Sequence, residues 1–469
     1  MYTRIQGNKG GRRMELQEAV KGYEEQLLKS LQESIRIRSV QGEASEQYPY
    51  GKGVQDCLDH ALKTAEALGF ATIDLDHQMG WCEYGEGEEM VAVLGHLDVV
   101  PEGDGWSFDP FGGEIRDGKV FGRGAMDDKG PTIAALYALA ALRDSGLPIR
   151  RRIRLLFGTN EETGSNDMKY YRSHGGEIPV MGFTPDGEYP VINGEKGLIN
   201  VNFSRNYTQD GDVRILEIHG GSAPNVVPAE AKAKVVCPAE LAASLLKKSD
   251  DRIQYEKTEE GVQITAAGLS AHGATPELGV NAIGLLLEAL CELPLSEEAD
   301  RWVRFLEEKI GLETKGTSLG IEMADEISGN LSLNLGTLEG DDHSAALEIN
   351  YRYPVTKSYE DCAPILEQAF ADAGFTKTGE RHKKSLYVPE ESELVQTLLG
   401  VYADYTGLEP IPKSIGGGTY AKAIPNIVAF GPIFPGDEVR EHKPDEFIEV
   451  EKLMKNAQII AEAMYRLAK

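Results

Sequence analysis

Two histidines and a group of carboxylates stand in short, glycine-bounded strings along this 469-residue chain, and residues of these types suit metal ligation and proton transfer. The first string, Gly95-His96-Leu97-Asp98-Val99-Val100-Pro101, closes the apolar run that begins at Met90. Side chains alternate along a strand, so His96 and Asp98 point to the same side. A metal-bound imidazole commonly gives its second ring N–H to a carboxylate or carbonyl, which makes Asp98 a candidate orienter of His96. The plainer alternative is a histidine that merely ends a strand. The second string, Phe121 to Pro131, sets adjacent acids Asp127 and Asp128 among glycines just ahead of a helix, where a capping acid is the ordinary reading. The third, Gly158 to Gly164, holds Glu161 and Glu162 on a loop, where paired glutamates are normally solvated. Asp186 in Thr184-Pro185-Asp186-Gly187 reads as a turn, and His442 lies in Glu441-His442-Lys443-Pro444-Asp445-Glu446 before the last helix. Each string alone is weak. Together they supply two histidines and several acids, most of them following apolar strands, and in open α/β sheets ligands gather at the carboxyl ends of strands.

The elements that must position these residues are legible in outline. Apolar residues recur at helical spacing from Met14 to Val40 and again from Val54 to Leu68, Met90 to His96 reads as a buried strand, Val120-Phe121 as a short one, and Pro131 opens a helix through Leu142. Arg151 to Phe157 mixes charged and apolar residues as a strand can. This alternation indicates a layered α/β domain. The middle changes character: strands are expected at 200–203, 214–219, 231–236, 262–269 and 331–349, with helices at 281–293, 297–310 and 359–373. After it, 391–405 is helical, 421–431 contains a strand, and 446–467 is a long amphipathic helix. The ends read as one layered α/β domain, at 14–195 and 390–469, interrupted by an inserted α+β block at 196–389. The first 13 residues are basic and aperiodic, and read as an extension or tag outside the fold.

Composition bounds the function. With 48 Lys and Arg against 76 Asp and Glu the net charge is −28, which argues against a protein that tracks nucleic-acid phosphates. The five cysteines are odd in number, scattered and without a C-x-x-C pair, as expected of reduced thiols in the cytoplasm. No apolar stretch approaches the roughly 18 residues of a membrane span, and the start lacks the apolar core of a secretory signal.

Seven strings in order, GHLDVVP at 95–101, GRGAMDDKGP at 122–131, GTNEETG at 158–164, PDGEYP at 185–190, SAHGATP at 270–276, GGGTYA at 416–421 and EHKPDE at 441–446, make the chain resemble the M20 metallopeptidases, within them the PepV-like dipeptidase branch. The resemblance spans nearly all of Met14 to Lys469. It implies that the α/β domain at 14–195 and 390–469 is a zinc-aminopeptidase-like catalytic domain with a mixed sheet flanked by helices, that the insert at 196–389 is a lid, and that the protein holds two divalent metal ions, zinc first, with manganese or cobalt as alternatives. One ion would be held by His96 and Asp186 and the other by Glu162 and His442, with Asp127 bridging both. Asp98 would orient His96, and Glu161 would be the general base. On the insert, His272 resembles the histidine that stabilises the oxyanion, although a loop histidine is more often simply exposed. Arg352 resembles the arginine that grips a substrate carboxylate, for which only a guanidinium offers a planar fork. Asn225 and the stretch Gly416, Gly417, Gly418 and Thr419 are further substrate-side candidates. The resemblance also points to a cis Asp127–Asp128 peptide that aims the shared carboxylate.

The function expected is hydrolysis of dipeptides or short peptides by a metal-activated water. The rivals are an N-acyl amino-acid deacylase of the same family and a non-catalytic two-domain binding protein with structural metals or none. Neither nucleic acid nor membrane is expected as a partner, and a monomer is favoured. His60, His77, His174, His219, His343 and His382 have no motif around them and read as surface or structural.

Overall fold

The computed structural model describes residues 2–469, with side chains from residue 11 onward. The chain forms two compact units, Met1–Asn193 with Val388–Lys413 and Gly418–Lys469, and Gly194–Tyr387 with Ser414–Gly417.

In the first unit the apolar runs become the centre of a mixed sheet. Met90–His96 lies parallel to Arg152–Gly158, with His96 opposite Gly158, and parallel to Met181–Thr184 on its other flank. Ile427–Ala429 continues the parallel set beside Met181–Thr184. The hairpin of Ala71–Leu75 and Met79–Tyr84 adds an antiparallel edge to Arg152–Gly158. Every residue of Met90–His96 is buried, so both faces of the sheet must be covered. Helix Lys129–Asp144 is buried at every position from Lys129 to Leu142, as suits a helix apolar all round, and Glu24–Ile35 and Val450–Ala468 pack against it. A small antiparallel sheet joins Glu114–Arg116, Lys119–Phe121 and Phe447–Glu449.

Several expectations need correction. The first helix runs Tyr2–Lys21, starting well before Met14, and Arg12 inside it pairs with buried Glu462 at 2.8 Å. The continuous helix expected to Val40 breaks after Lys21 and resumes as Glu24–Ile35. The last helix begins at Val450 rather than Glu446, because Phe447–Glu449 pairs as a strand.

The second unit is an eight-stranded antiparallel sheet, in the order Ile253–Lys257, Gly261–Ala267, Glu230–Val236, Arg214–Gly220, Ser332–Asp341, Ser344–Tyr353, Gly197–Asn206, Thr376–Lys383. It has its own core, in which Trp302 and Leu306 of helix Glu297–Lys309 meet Phe203, Tyr207 and Phe370. The single strand expected over 331–349 is a hairpin. Its turn is fixed by Asp341 Oδ1, which accepts the N–H groups of His343 and Ser344 at 2.9 and 2.7 Å. The chain thus adopts the expected class, a mixed α/β sheet flanked by helices plus an inserted α+β unit. Among the described residues no helix is long and apolar enough to cross a membrane.

Candidate metal centre

Three neighbouring parallel strands, Arg152–Gly158, Met90–His96 and Met181–Thr184, release their chains at one edge of the sheet. His96 is the last residue of its strand, Glu161 and Glu162 follow Gly158, and Asp186 follows Thr184. Asp127 lies one residue before the end of the loop between Phe121 and helix Lys129–Asp144, and His442 precedes Phe447–Glu449. Because Phe121 pairs antiparallel with Phe447, the chain leaves one strand where it enters the other, which brings these two loops together.

The result is two groups of possible ligand atoms that share one residue: His96, Asp127 and Asp186, and Asp127, Glu162 and His442. Asp127 turns Oδ1 to His96 Nε2 and Oδ2 to His442 Nε2, each at 3.0 Å. Asp186 Oδ2 is 3.8 Å from His96 Nε2, and Glu162 Oε2 is 3.3 Å from His442 Nε2. The Asp127–Asp128 peptide is cis, as expected.

Burial opposes a charge on His96, yet its contacts with Asp127 and Asp98, and the charges of Asp127 and Asp186, hold its pKa well above the usual value. Contacts with Asp127 and Glu162 push His442 up to about 11. Burial would raise Asp127, but the two histidines keep it well below the ordinary carboxylate range. Burial raises Glu161 well above the usual value; His96 opposes this, and Asp186, Glu162 and Asp98 add to it. Burial and the charge of Asp127 likewise raise Glu162. Burial and the charges of Asp127 and Asp186 push Glu441 up to about 8. So many acids around one point demand positive charge.

The donor set fits divalent cations. His96 Nδ1 is engaged by the carbonyl of Asp98 at 2.9 Å, whereas buried Nε2 has no hydrogen-bond partner, the Asp127 oxygen beside it lying off hydrogen-bond geometry. An imidazole with one nitrogen anchored and the other aimed at two carboxylates is arranged as a ligand. Mixed histidine and carboxylate donors suit zinc, manganese or cobalt.

The structure changes the expected part of Asp98. Its backbone carbonyl takes the His96 ring N–H, while its carboxylate, 3.5 Å from Nδ1, accepts the N–H groups of Glu161 and Glu162 at 3.1 Å each. Of the other supports around the ligands, sequence reasoning expected only the secondary contacts of Asp128. Asp128 Oδ2 accepts His96 N at 3.0 Å and Thr132 Oγ1 at 2.9 Å. Asp167 Oδ2 accepts Thr159 N at 2.7 Å and the Tyr420 hydroxyl, and burial pushes its pKa up to about 6. Glu446 accepts from the Asp127 loop. Glu446 and Tyr420 lay inside quoted strings, the signal that could have found them.

The remaining candidates divide between the units. Arg352 is 2% exposed; Nη1 donates to the carbonyl of Gly416 at 2.7 Å and Nε to Asn350 Oδ1 at 3.2 Å, and burial brings its pKa down to about 10. Gly416 thus serves Arg352 through its carbonyl. His272 forms an isolated bridge with Val226, and partial burial followed by the Arg352 charge lowers its pKa. The carbonyl of exposed Asn225 accepts Gly273 N at 2.7 Å. These residues and Gly417 belong to the second unit, whereas Gly418 and Thr419 belong to the first, where Thr419 Oγ1 caps Tyr420–Ala423 by accepting Ala421 N at 3.1 Å.

Comparison with known proteins gives one answer. The sequence model of Peptidase family M20/M25/M40 matches residues 92–466. The "Putative dipeptidase YtjP" of Bacillus subtilis is 38% identical over 457 residues, covering 95% of this chain and 98% of its own length. A "Putative dipeptidase" of Staphylococcus epidermidis is 34% identical over 464 residues, covering 96% and 98%. Among solved structures, the di-peptidase Dug1p of Saccharomyces cerevisiae superimposes with a TM-score of 0.58 at 14% identity, covering 97% of this chain and 98% of that one. Human carnosine dipeptidase 1 gives 0.55 at 16%, with coverage of 97% and 98%. These two show the likeness of fold. With its motifs in order along the matched span, the chain belongs to Peptidase family M20/M25/M40.

Proposed function

We propose that this peptidase hydrolyses dipeptides or short peptides with two divalent cations, one held by His96, Asp127 and Asp186 and the other by Asp127, Glu162 and His442. The observation that carries this reading is the split carboxylate of Asp127, with one oxygen 3.0 Å from each of two histidines that each have a further acid. When bound, the cations supply Lewis acidity to the attacking water and the scissile carbonyl. Glu161 follows the strand end beside Glu162 but stands outside both ligand groups; it takes the proton of the water and delivers it to the leaving amine. Arg352, charged and with a planar fork, grips the substrate carboxylate, and His272, its pKa lowered, donates as a neutral imidazole to the oxyanion. Asn225, Gly417, Gly418 and Thr419 are further substrate contacts. The dipeptidase names of relatives that match over nearly their full length support this substrate class.

The test is metal-depleted protein reconstituted in turn with zinc, manganese and cobalt and offered a dipeptide panel and the N-acetylated counterparts. Free dipeptides are expected to turn over and acetylated ones to be poor substrates. The reverse preference would assign a deacylase, and cation binding without turnover of either set would sink the enzymatic reading.

A further inference from the structure

The loop that carries Asp127 has no regular structure between Phe121 and Lys129, so something other than a helix or strand must hold the shared carboxylate in place. One side chain does most of this. Glu446 Oε1 accepts the backbone N–H groups of Gly124, Met126 and Asp127 at 3.1, 2.8 and 3.2 Å. Its Oε2 accepts Arg123 Nη1 at 2.7 Å, and its backbone carbonyl accepts Gly122 N at 3.0 Å. Three N–H groups of one loop converging on a single oxygen favour an anion there.

Arg123 carries the contact onward. Its guanidinium also donates to the carbonyls of Lys443 at 3.3 Å and Glu102 at 3.2 Å, and it lies 5.2 Å from the centre of the Trp106 ring. Glu446 is fully buried and Arg123 is 1% exposed, which makes a desolvated ion pair in which Nη1 and Nη2 of Arg123 donate and Nε does not. Glu446 stands four residues after His442, and Lys443 directly follows His442. The same pair therefore ties the loop of the shared acid to the loop of one histidine.

We propose that Glu446, with Arg123, is a positioning pair that fixes Asp127 relative to His442 and so sets the geometry and affinity of both cation sites. It touches neither cation nor substrate, and the inference rests on the reading of the two triads as cation sites. A glutamine at this position keeps an acceptor for the N–H groups but turns a donor toward Arg123, leaving a buried guanidinium unpaired.

The test measures cation affinity by chelator competition with zinc, and coordination geometry by the visible absorption of the cobalt-loaded protein. Glu446→Gln is expected to weaken zinc binding about 10–100-fold, the range for residues that orient ligands, and to change the cobalt spectrum. The control is Glu462→Gln, an equally buried acid that accepts from Arg12 and Arg466 at 2.8 and 2.6 Å; it is expected to lose stability with the cobalt spectrum unchanged. Should Glu446→Gln not fold, Arg123→Lys keeps the charge but not the fork, and a loss of zinc affinity of at least about threefold with a changed spectrum is expected. If either folded variant binds two zinc ions with wild-type affinity and spectrum, the proposal is overturned while the metal reading stands. If the wild-type protein itself fails to bind two, the metal reading falls, and the proposal with it.

Discussion

At the scale of single residues, the two glutamates at 161 and 162 carry the sharpest division of labour. Glu162 lies 3.3 Å from His442 within a ligand group, whereas its neighbour Glu161 belongs to neither group. Glu161→Ala is therefore expected to keep near-normal metal content and lose about 10²–10⁴-fold in kcat, the range attributed to acid–base catalysis. Glu162→Ala should instead lose metal, as read by elemental analysis after dialysis, and equal metal loss in the two variants would sink the division of roles. The residues brought together at the two groups were all legible in the sequence, because His96, Asp127, Glu162, Asp186 and His442 sit in short strings of unusual residue types. The residues that hold them were not. Asp98 was expected to turn its carboxylate to His96, but that carboxylate serves the N–H groups of Glu161 and Glu162. Glu446 and Asp167 likewise accept from backbone N–H groups, which every residue except proline carries, so EHKPDE contains Glu446 but no pattern of side chains assigns its role, and Asp167 lies in no string at all.

At the scale of elements, the strands that deliver ligands were readable because a strand buried on both faces is an uninterrupted apolar run, as Met90–His96 is. The hairpin strand Ala71–Leu75 was missed because it is half exposed and has no such run. Phe447–Glu449 reads in the sequence as the start of the last helix, since its apolar residues continue the helical pattern and its strand partner lies more than 300 residues earlier. Close packing between elements sets the next expectation. Gly158 ends its strand against Tyr420, where an added Cβ would lie 2.2 Å from the hydroxyl, and Tyr420 is fully buried and bonded to Asp167. Gly158→Ala should cost at least about 1–3 kcal/mol by overpacking, and should lower activity because Asp167 also holds the loop leading to Glu161. Gly400, within helix Glu393–Thr406, would meet only Arg466 Nη1 at 3.7 Å, so Gly400→Ala should instead stabilise by up to about 1 kcal/mol. Urea titrations of the two variants check the contrast, and equal effects would remove the steric argument.

At the scale of the whole molecule, the change of character near residue 196 was visible as a switch from alternating helices and apolar strands to a strand-and-helix α+β block. The return of Ser414–Gly417 to the second unit was not, because four residues that end in two glycines give no periodicity. Each unit has its own core, and both candidate ligand groups fall in the first. Metal should therefore act on one unit's stability. Glu441 illustrates the sign: its folded pKa of about 8 lies above the ordinary 4.5, so without a cation its contribution to stability is lost progressively as pH rises from about 4.5 through 8. Burial is the larger cause of that shift, and the repulsion from Asp127 and Asp186 that adds to it is what a cation counters, most at the alkaline end, where the acids are ionised. At a hundredfold excess over Kd each cation would add about 2.7 kcal/mol, and two should raise the unfolding temperature of the first unit by at least about 5 °C. Calorimetry at pH 8 with zinc, and again after a chelator, should show one transition moving and a second, from the 194–387 unit, staying in place. Equal movement of every transition would mean that the units unfold together, and no movement at all would remove the metal from the account of the first unit's stability.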